Sequence, residues 1–196
     1  MRFISSQLLV AAVAATALVT SAQSAQAQAQ TQTTMPATAP AKAPEDKSKR
    51  PSPPAVVKTT VHGTDLTIDY SRPSLKGRAA FGEKSPLAPV GEVWRTGANE
   101  ATTFTVSKDV KIEGQALAAG TYSLFTIPGP SEWTIVFNKT AKQWGAYDYK
   151  AADDVLRVKV KPTTVATPVE QFTITADKSG KVTRMWAKTA ASFTVK

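Results

Sequence analysis

Trp94-Arg95-Thr96-Gly97-Ala98-Asn99-Glu100 places a planar cation, a glycine, an amide and a carboxylate directly behind a tryptophan. Arg95 offers a fork of N–H donors that matches a carboxylate or a phosphate. Asn99 supplies both a donor and an acceptor, and Glu100 would act as an acid or base if buried. The same residues also read as an ordinary turn. Gly97 permits a sharp reversal, Asn99 bonds its own backbone, Trp94 anchors the loop, and Arg95 pairs with Glu100 across it. Ion-pair networks perturb such groups without any function.

A second cationic stretch precedes it. Tyr70-Ser71-Arg72-Pro73 and Lys76-Gly77-Arg78 put Arg72, Lys76 and Arg78 within seven positions. Pro73 biases Arg72 toward extended backbone. Three cations so close repel one another unless something negative lies between them: Glu92, Glu100 or an anionic ligand. If this loop meets the WRTGANE turn, Arg72, Arg78, Arg95, Asn99 and Glu100 line one ligand-binding pocket.

Other chemistries find no support. His62 is the only histidine and cysteine is absent, so neither a His- or Cys-based metal site nor a Ser-His-Asp triad is indicated. No Walker, dinucleotide or G-x-S-x-G motif occurs. No catalytic residue, metal ligand or cofactor is assigned. Glu92 with Glu100, or Asp153 with Asp154, could form carboxylate pairs, but neighbours on a strand point to opposite faces, which disfavours the second pair. Trp144-Gly145-Ala146-Tyr147 could stack on sugar rings, although loop aromatics more often pin the loop down.

The elements that must position these residues are short and alternating. Val57 to Val61 and Asp65 to Tyr70 flank a His62-Gly63 turn, with Leu66, Ile68 and Tyr70 sharing a face. Glu100 to Ser107 points Phe104 and Val106 inward, and Val110 to Glu113 follows. Thr121 to Ile127 and Glu132 to Asn138 are apolar on both faces and read as central strands. In Val155 to Lys161 the apolar side is Leu156, Val158 and Val160, opposite Arg157, Lys159 and Lys161. Glu170 to Ala176 and Lys181 to Lys188 form a hairpin, and Ser192 to Lys196 ends the chain. About nine short strands with no helical period predict an all-β protein, an antiparallel β-sandwich or flattened barrel.

The chain has 196 residues and a net charge of +9. Residues 1–27 read as a secretory signal peptide: Arg2, then a short apolar run, then Ala25-Gln26-Ala27 as a cleavage site. The run is too short and interrupted for a comfortable membrane span. A periplasmic or secreted protein without a stable membrane anchor is expected. Residues 28–54 are rich in Pro, Ala, Gln and Thr and read as a disordered linker, its Lys47-Ser48-Lys49-Arg50 end a solvated run. Residues 55–196 then form a single β-sandwich domain, long enough to bury a core without disulfides. Arg157, Lys159 and Lys161, with Lys178, Lys181, Arg184 and Lys188, form a basic surface that attracts polyanions. Export argues against nucleic acid and for an envelope polymer or lipid head groups, or for solubility alone.

The segments YSRPSLKGRAAFG, PVGEVWRTGANEAT, AAGTYSLFTIPGPSEWTIVFN and DVLRVKVKP, in that order, resemble a bacterial family known as domain of unknown function twenty-nine-eleven. The resemblance runs from Ser52 to the C-terminus. It implies a small exported β-protein and brings no reaction, substrate or cofactor. Members tend to carry an acid after the last tryptophan; here Ala187 follows Trp186. Three functions are therefore expected to compete. One is binding of a small anionic or polyhydroxylated (carbohydrate) ligand or an envelope component through the five-residue pocket. Another is metal-free hydrolase-type chemistry with Glu100 as acid or base and Arg95 as anion clamp. The third is a structural envelope domain with no site.

Overall fold

The computed structural model describes residues 45–196, so the expected signal peptide and residues 28–44 of the expected linker lie outside the described residues. In chain order the strands are β1 (Pro54–Val61), β2 (Thr64–Ser71), β3 (Phe81–Gly82), β4 (Ala88–Pro89), β5 (Thr102–Val106) and β6 (Val110–Ile112). They continue as β7 (Gln115–Leu117), β8 (Gly120–Ile127), β9 (Trp133–Asn138), β10 (Asp154–Val160), β11 (Thr163–Ala176) and β12 (Lys181–Thr194). The described residues contain no α-helix, and none of their helices is long and apolar enough to cross a membrane.

Six strands form one antiparallel sheet in the order β1-β2-β5-β8-β9-β10. Its first hairpin turns at His62 and Gly63, whose φ angles are 48° and 77°. Two positive φ values in succession match the right-handed twist of the flanking strands. Alternation places one row of side chains inside: Leu66, Ile68 and Tyr70 from β2, Phe104 and Val106 from β5, and Leu156, Val158 and Val160 from β10 are all buried.

The second layer is the long β11–β12 ribbon, antiparallel and interrupted by register shifts between Thr164 and Val169 and between Val169 and Thr173. Pro168 has no N–H to donate, and the irregularity is where it is tolerated. That proline hides the first half of β11 from a sequence pattern. The run Thr189-Ala190-Ala191 likewise hides the continuity of β12, so Ser192 belongs to the strand that begins at Lys181. Between the layers, Trp94 stacks on Trp186 with centroids 5.8 Å apart and planes 13° apart, and Phe81 and Phe172 meet them edge-on. Phe104, Phe137 and Phe193 fill the next part of the core. The result is a sandwich of antiparallel sheets that does not close into a barrel.

Both faces of β8 and β9 are apolar because both are covered. Phe125 and Val136 point away from the ribbon, are 0% exposed, and are packed by Ala146 and Tyr149 from the segment after β9. The folded part also starts earlier than its hydrophobic pattern. β1 begins at Pro54, and the Lys47–Arg50 run, expected to be solvated, makes ion pairs with Glu45 and Glu100.

Candidate functional site

The WRTGANE turn is held from three sides. Trp94 exchanges two backbone hydrogen bonds with Thr126 of β8, each 2.8 Å, and its indole N–H donates to the Gly97 carbonyl at 3.1 Å. Thr96 is fully buried with φ 53°, a left-handed conformation that a β-branched residue adopts only under constraint. The constraint is visible: its hydroxyl is 2.8 Å from the Thr126 hydroxyl, and its carbonyl accepts from Thr102 Oγ1 at 2.7 Å. Backbone strain of this kind persists where the surroundings over-determine it, often at ligand sites. A methyl group on Gly97 would lie 2.9 Å from the Ser71 carbonyl, so the close approach of the turn to β2 requires glycine. Asn99, at φ 58°, donates its amide to the Ser52 carbonyl and Ser71 Oγ at 3.0 and 3.2 Å.

Against this turn lies the loop after β2. The two leave a hollow of about 230 Å³ whose lining includes Arg78, Arg95 and Asn99, with Trp186, Pro86 and Leu87 as apolar walls. Arg78 is exposed and pinned by its own loop, its Nε and Nη2 donating to the Leu75 and Ser74 carbonyls at 2.9 Å. Arg95 is half-buried. Its Nε is buried without a hydrogen-bond partner, and no ion pair to Arg95 or Arg78 occurs among the described residues. The lining of the hollow thus includes two arginines that pair with no carboxylate among the described residues.

Two of the five expected site residues stand elsewhere. Arg72 donates from Nε to the Phe172 carbonyl at 3.1 Å and from Nη2 to Thr173 Oγ1 at 2.8 Å, tying the end of β2 to β11. It does not line the hollow. The acid beside this loop is neither Glu92 nor Glu100 but Glu170 of β11, whose carboxylate accepts the Lys76 backbone N–H at 2.9 Å. The expected Arg95–Glu100 pair is also absent. Glu100 pairs with Lys47 and Arg50, each at 2.8 Å, and lines a separate cleft. Arg95 and Asn99 line the hollow, whereas the bridge to Trp144 holds Glu100 in the cleft; the Arg95 Nη1 also reaches toward Gly145, where it would lie 3.4 Å from an added methyl group.

Burial raises the Glu100 pKa, but hydrogen bonds from Lys47, its own backbone and Arg50 outweigh that and bring it to about 2. A carboxylate so acidic is a poor general base near neutral pH, which removes the support for acid–base chemistry at Glu100. The sign of the pH dependence follows. A carboxylate whose folded pKa is depressed stabilises the fold above its unfolded pKa and loses that contribution as pH falls through the folded value. Relative to Glu100→Gln, the wild-type protein should have its full advantage at pH 7, lose it progressively from about 4.5 downward and have none only below the folded value of about 2. Thermal melts of both proteins across that range check this. Because Glu100 is partly solvated, added salt should shrink the gap at pH 7.

Asp153 pairs with Lys139 and accepts from Thr140, whereas Asp154 accepts from Asn138, Tyr149 and Arg157. They have separate partners, Asp153 ending a short 3-10 turn and Asp154 opening β10. Burial and the Asp154 carboxylate push the Tyr149 phenol up to about 12. Arg184, counted from sequence with the basic surface, is 2% exposed and lies between the sheets. Burial pushes its guanidinium down to about 9, and its one hydrogen bond goes to Thr126 Oγ1 at 2.9 Å. Strand alternation carried the signal: Val182, Arg184 and Trp186 are spaced by two and all face inward. Trp186 as a wall of the hollow had no comparable signal, because only the stacking of the ribbon on the sheet puts it there.

Among the described residues, no group of three or more His, Asp or Glu side chains is arranged to hold a metal ion. Residues 52–195 match the family model described as "Protein of unknown function (DUF2911)". No curated protein and no solved structure matches the chain.

Proposed function

The chain belongs to the DUF2911 family, and we propose that it is an exported binding protein for a small anionic ligand, held in the hollow by Arg78 and Arg95. The observation that carries this reading is Arg95: a half-buried guanidinium, its Nε without a partner, on a strained turn whose neighbours hold it in place. The hollow's volume, about 230 Å³, suits a ligand of modest size, since each water in liquid occupies about 30 Å³. Apolar contact with Trp186 and Leu87 would favour an organic anion over an inorganic one. Export follows from the N-terminal pattern and would place the ligand in the envelope.

The test is a titration of the mature chain with phosphate, succinate, citrate and glucuronate, read by calorimetry and thermal shift. At least one anion should raise the melting temperature, and at 100 times Kd the gain in stability is about 2.7 kcal/mol. Arg95→Ala should keep the fold and weaken that anion at least tenfold, corresponding to about 1.4 kcal/mol. No response to any of the four, or equal affinity in Arg95→Ala, overturns the proposal.

A further inference from the structure

The outer face of the six-stranded sheet carries a second, larger cleft, distinct from the hollow. The segment after β9 covers β8 and β9 but stops short of β1 and β2. The gap is a cleft of about 480 Å³. Its floor is the strand row Val56, Asp69 and Thr103, aligned by the β1–β2 and β2–β5 registers, and its wall is Gln143 and Trp144. Two features of that wall have no internal explanation. Trp144 is 54% exposed, a large apolar ring left in solvent although Arg50 stands 5.7 Å from its centroid and holds it. Gln143 is 8% exposed, and the two N–H groups of its amide are shared among Ser123 Oγ, Asn138 Oδ1 and the Thr140 carbonyl at 3.1, 3.2 and 2.7 Å. That saturates the nitrogen, and Gln143 Oε1 is buried with no donor among the described residues.

The cleft differs from the hollow in charge. Lys47 and Lys142 stand against Asp69 and Glu100 in its lining, so it carries no net charge. Glu100 is already saturated by Lys47 and Arg50. An anion therefore finds no unpaired guanidinium here. What remains unsatisfied is carbon surface and one buried acceptor. Pockets of several hundred Å³ with an apolar lining and few polar groups are the usual form of a small-molecule site.

We propose that this cleft binds an uncharged, flat aromatic molecule bearing one N–H or O–H donor, which packs on Trp144 over Val56 and donates to Gln143 Oε1 as that side chain turns toward it. The proposal is independent of the anion site and survives its failure.

Indole is a suitable probe and 1-methylindole its control, since the two differ in the donor. With the isotope-labelled full chain, indole should shift the amide resonances of Ala141 to Trp144, Val56 and Thr103, and bind about tenfold tighter than 1-methylindole. Thr103→Phe, which fills the floor from a partly exposed strand position, should abolish these shifts. Trp144→Ala should weaken them at least fivefold. Absence of shifts at millimolar indole, equal affinity for 1-methylindole, or undiminished binding in Thr103→Phe would overturn the proposal.

Discussion

Arg184→Met should stabilise the protein at pH 7 by about 1–4 kcal/mol, the gain seen when buried charged groups give way to well-packed apolar ones. Methionine has nearly the same length and fills irregular space. What it removes is a cation 2% exposed, with no carboxylate partner among the described residues and with Nε and Nη2 unpartnered. The ring faces of Trp133 and Phe193, each 6.0 Å from the guanidinium, return part of the cost. Cation–π contacts contribute about 0.5–2 kcal/mol, less than the several kcal/mol of burying an ion. The hydrogen bond lost is one, and Thr126 keeps its Thr96 partner.

The pH dependence of that gain has a definite sign. The folded state holds the Arg184 proton less tightly than the unfolded chain, so the cost is full below about 9 and falls above it. Denaturant midpoints of the two proteins should therefore differ most at pH 7 and converge as pH rises past 9. A variant less stable than wild type by more than about 1 kcal/mol would show that Arg184 has a stabilising partner, a result expected when one member of a buried pair is removed. A natural chain keeps a costly group where it serves something else, and the Arg184–Thr126–Thr96 chain of hydrogen bonds braces the strained turn that carries Arg95. The more stable Arg184→Met protein should accordingly bind the anion less well.

Trp186→Ala should have the opposite and larger effect, a loss of about 3–5 kcal/mol. Trp186 is 1% exposed and touches Trp94, Phe81 and Phe172 in one aromatic cluster. Truncation opens a cavity between the sheets and deletes three ring contacts, each worth about 0.5–1.5 kcal/mol beyond area. It also leaves the Glu170 carbonyl without the indole N–H that donates to it at 3.1 Å. Against a total of about 5–15 kcal/mol for a domain, the variant should be partly unfolded at 37 °C. Trp186→Phe separates the contributions: it keeps a ring in the cluster and loses the hydrogen bond, so it should cost about 1–3 kcal/mol. Urea unfolding of the three proteins measures both steps. A loss under 1 kcal/mol in Trp186→Ala would mean that the ribbon collapses into the space.

Most strands were legible because their chemistry is local. Leu66, Ile68 and Tyr70, or Leu156, Val158 and Val160, alternate with polar residues, and a strand has only two faces on which to put them. The His62-Gly63 turn was legible for the same reason, since it needs only its own backbone. The short pair β3–β4 and strand β7 were not, because two or three residues carry no period. Pro168 and the Ala190-Ala191 pair interrupt the local pattern of the long strands β11 and β12, and a paired partner strand tolerates both.

The site was legible as residue types and illegible as partnerships. From the amino-acid order alone it follows that the chain is an all-β member of its family and that Arg78, Arg95 and Asn99 lie in connections between strands. The folded chain decided that Arg95 is left without an acid, that Glu100 turns away to Lys47 and Arg50, that Arg72 is consumed by β11, and that Arg184 lies inside the sandwich. The physical reason is range. Alternation and turn geometry act over a few residues, whereas an ion pair or a pocket depends on which distant backbone arrives within about 4 Å, and that is set by how the sheets stack.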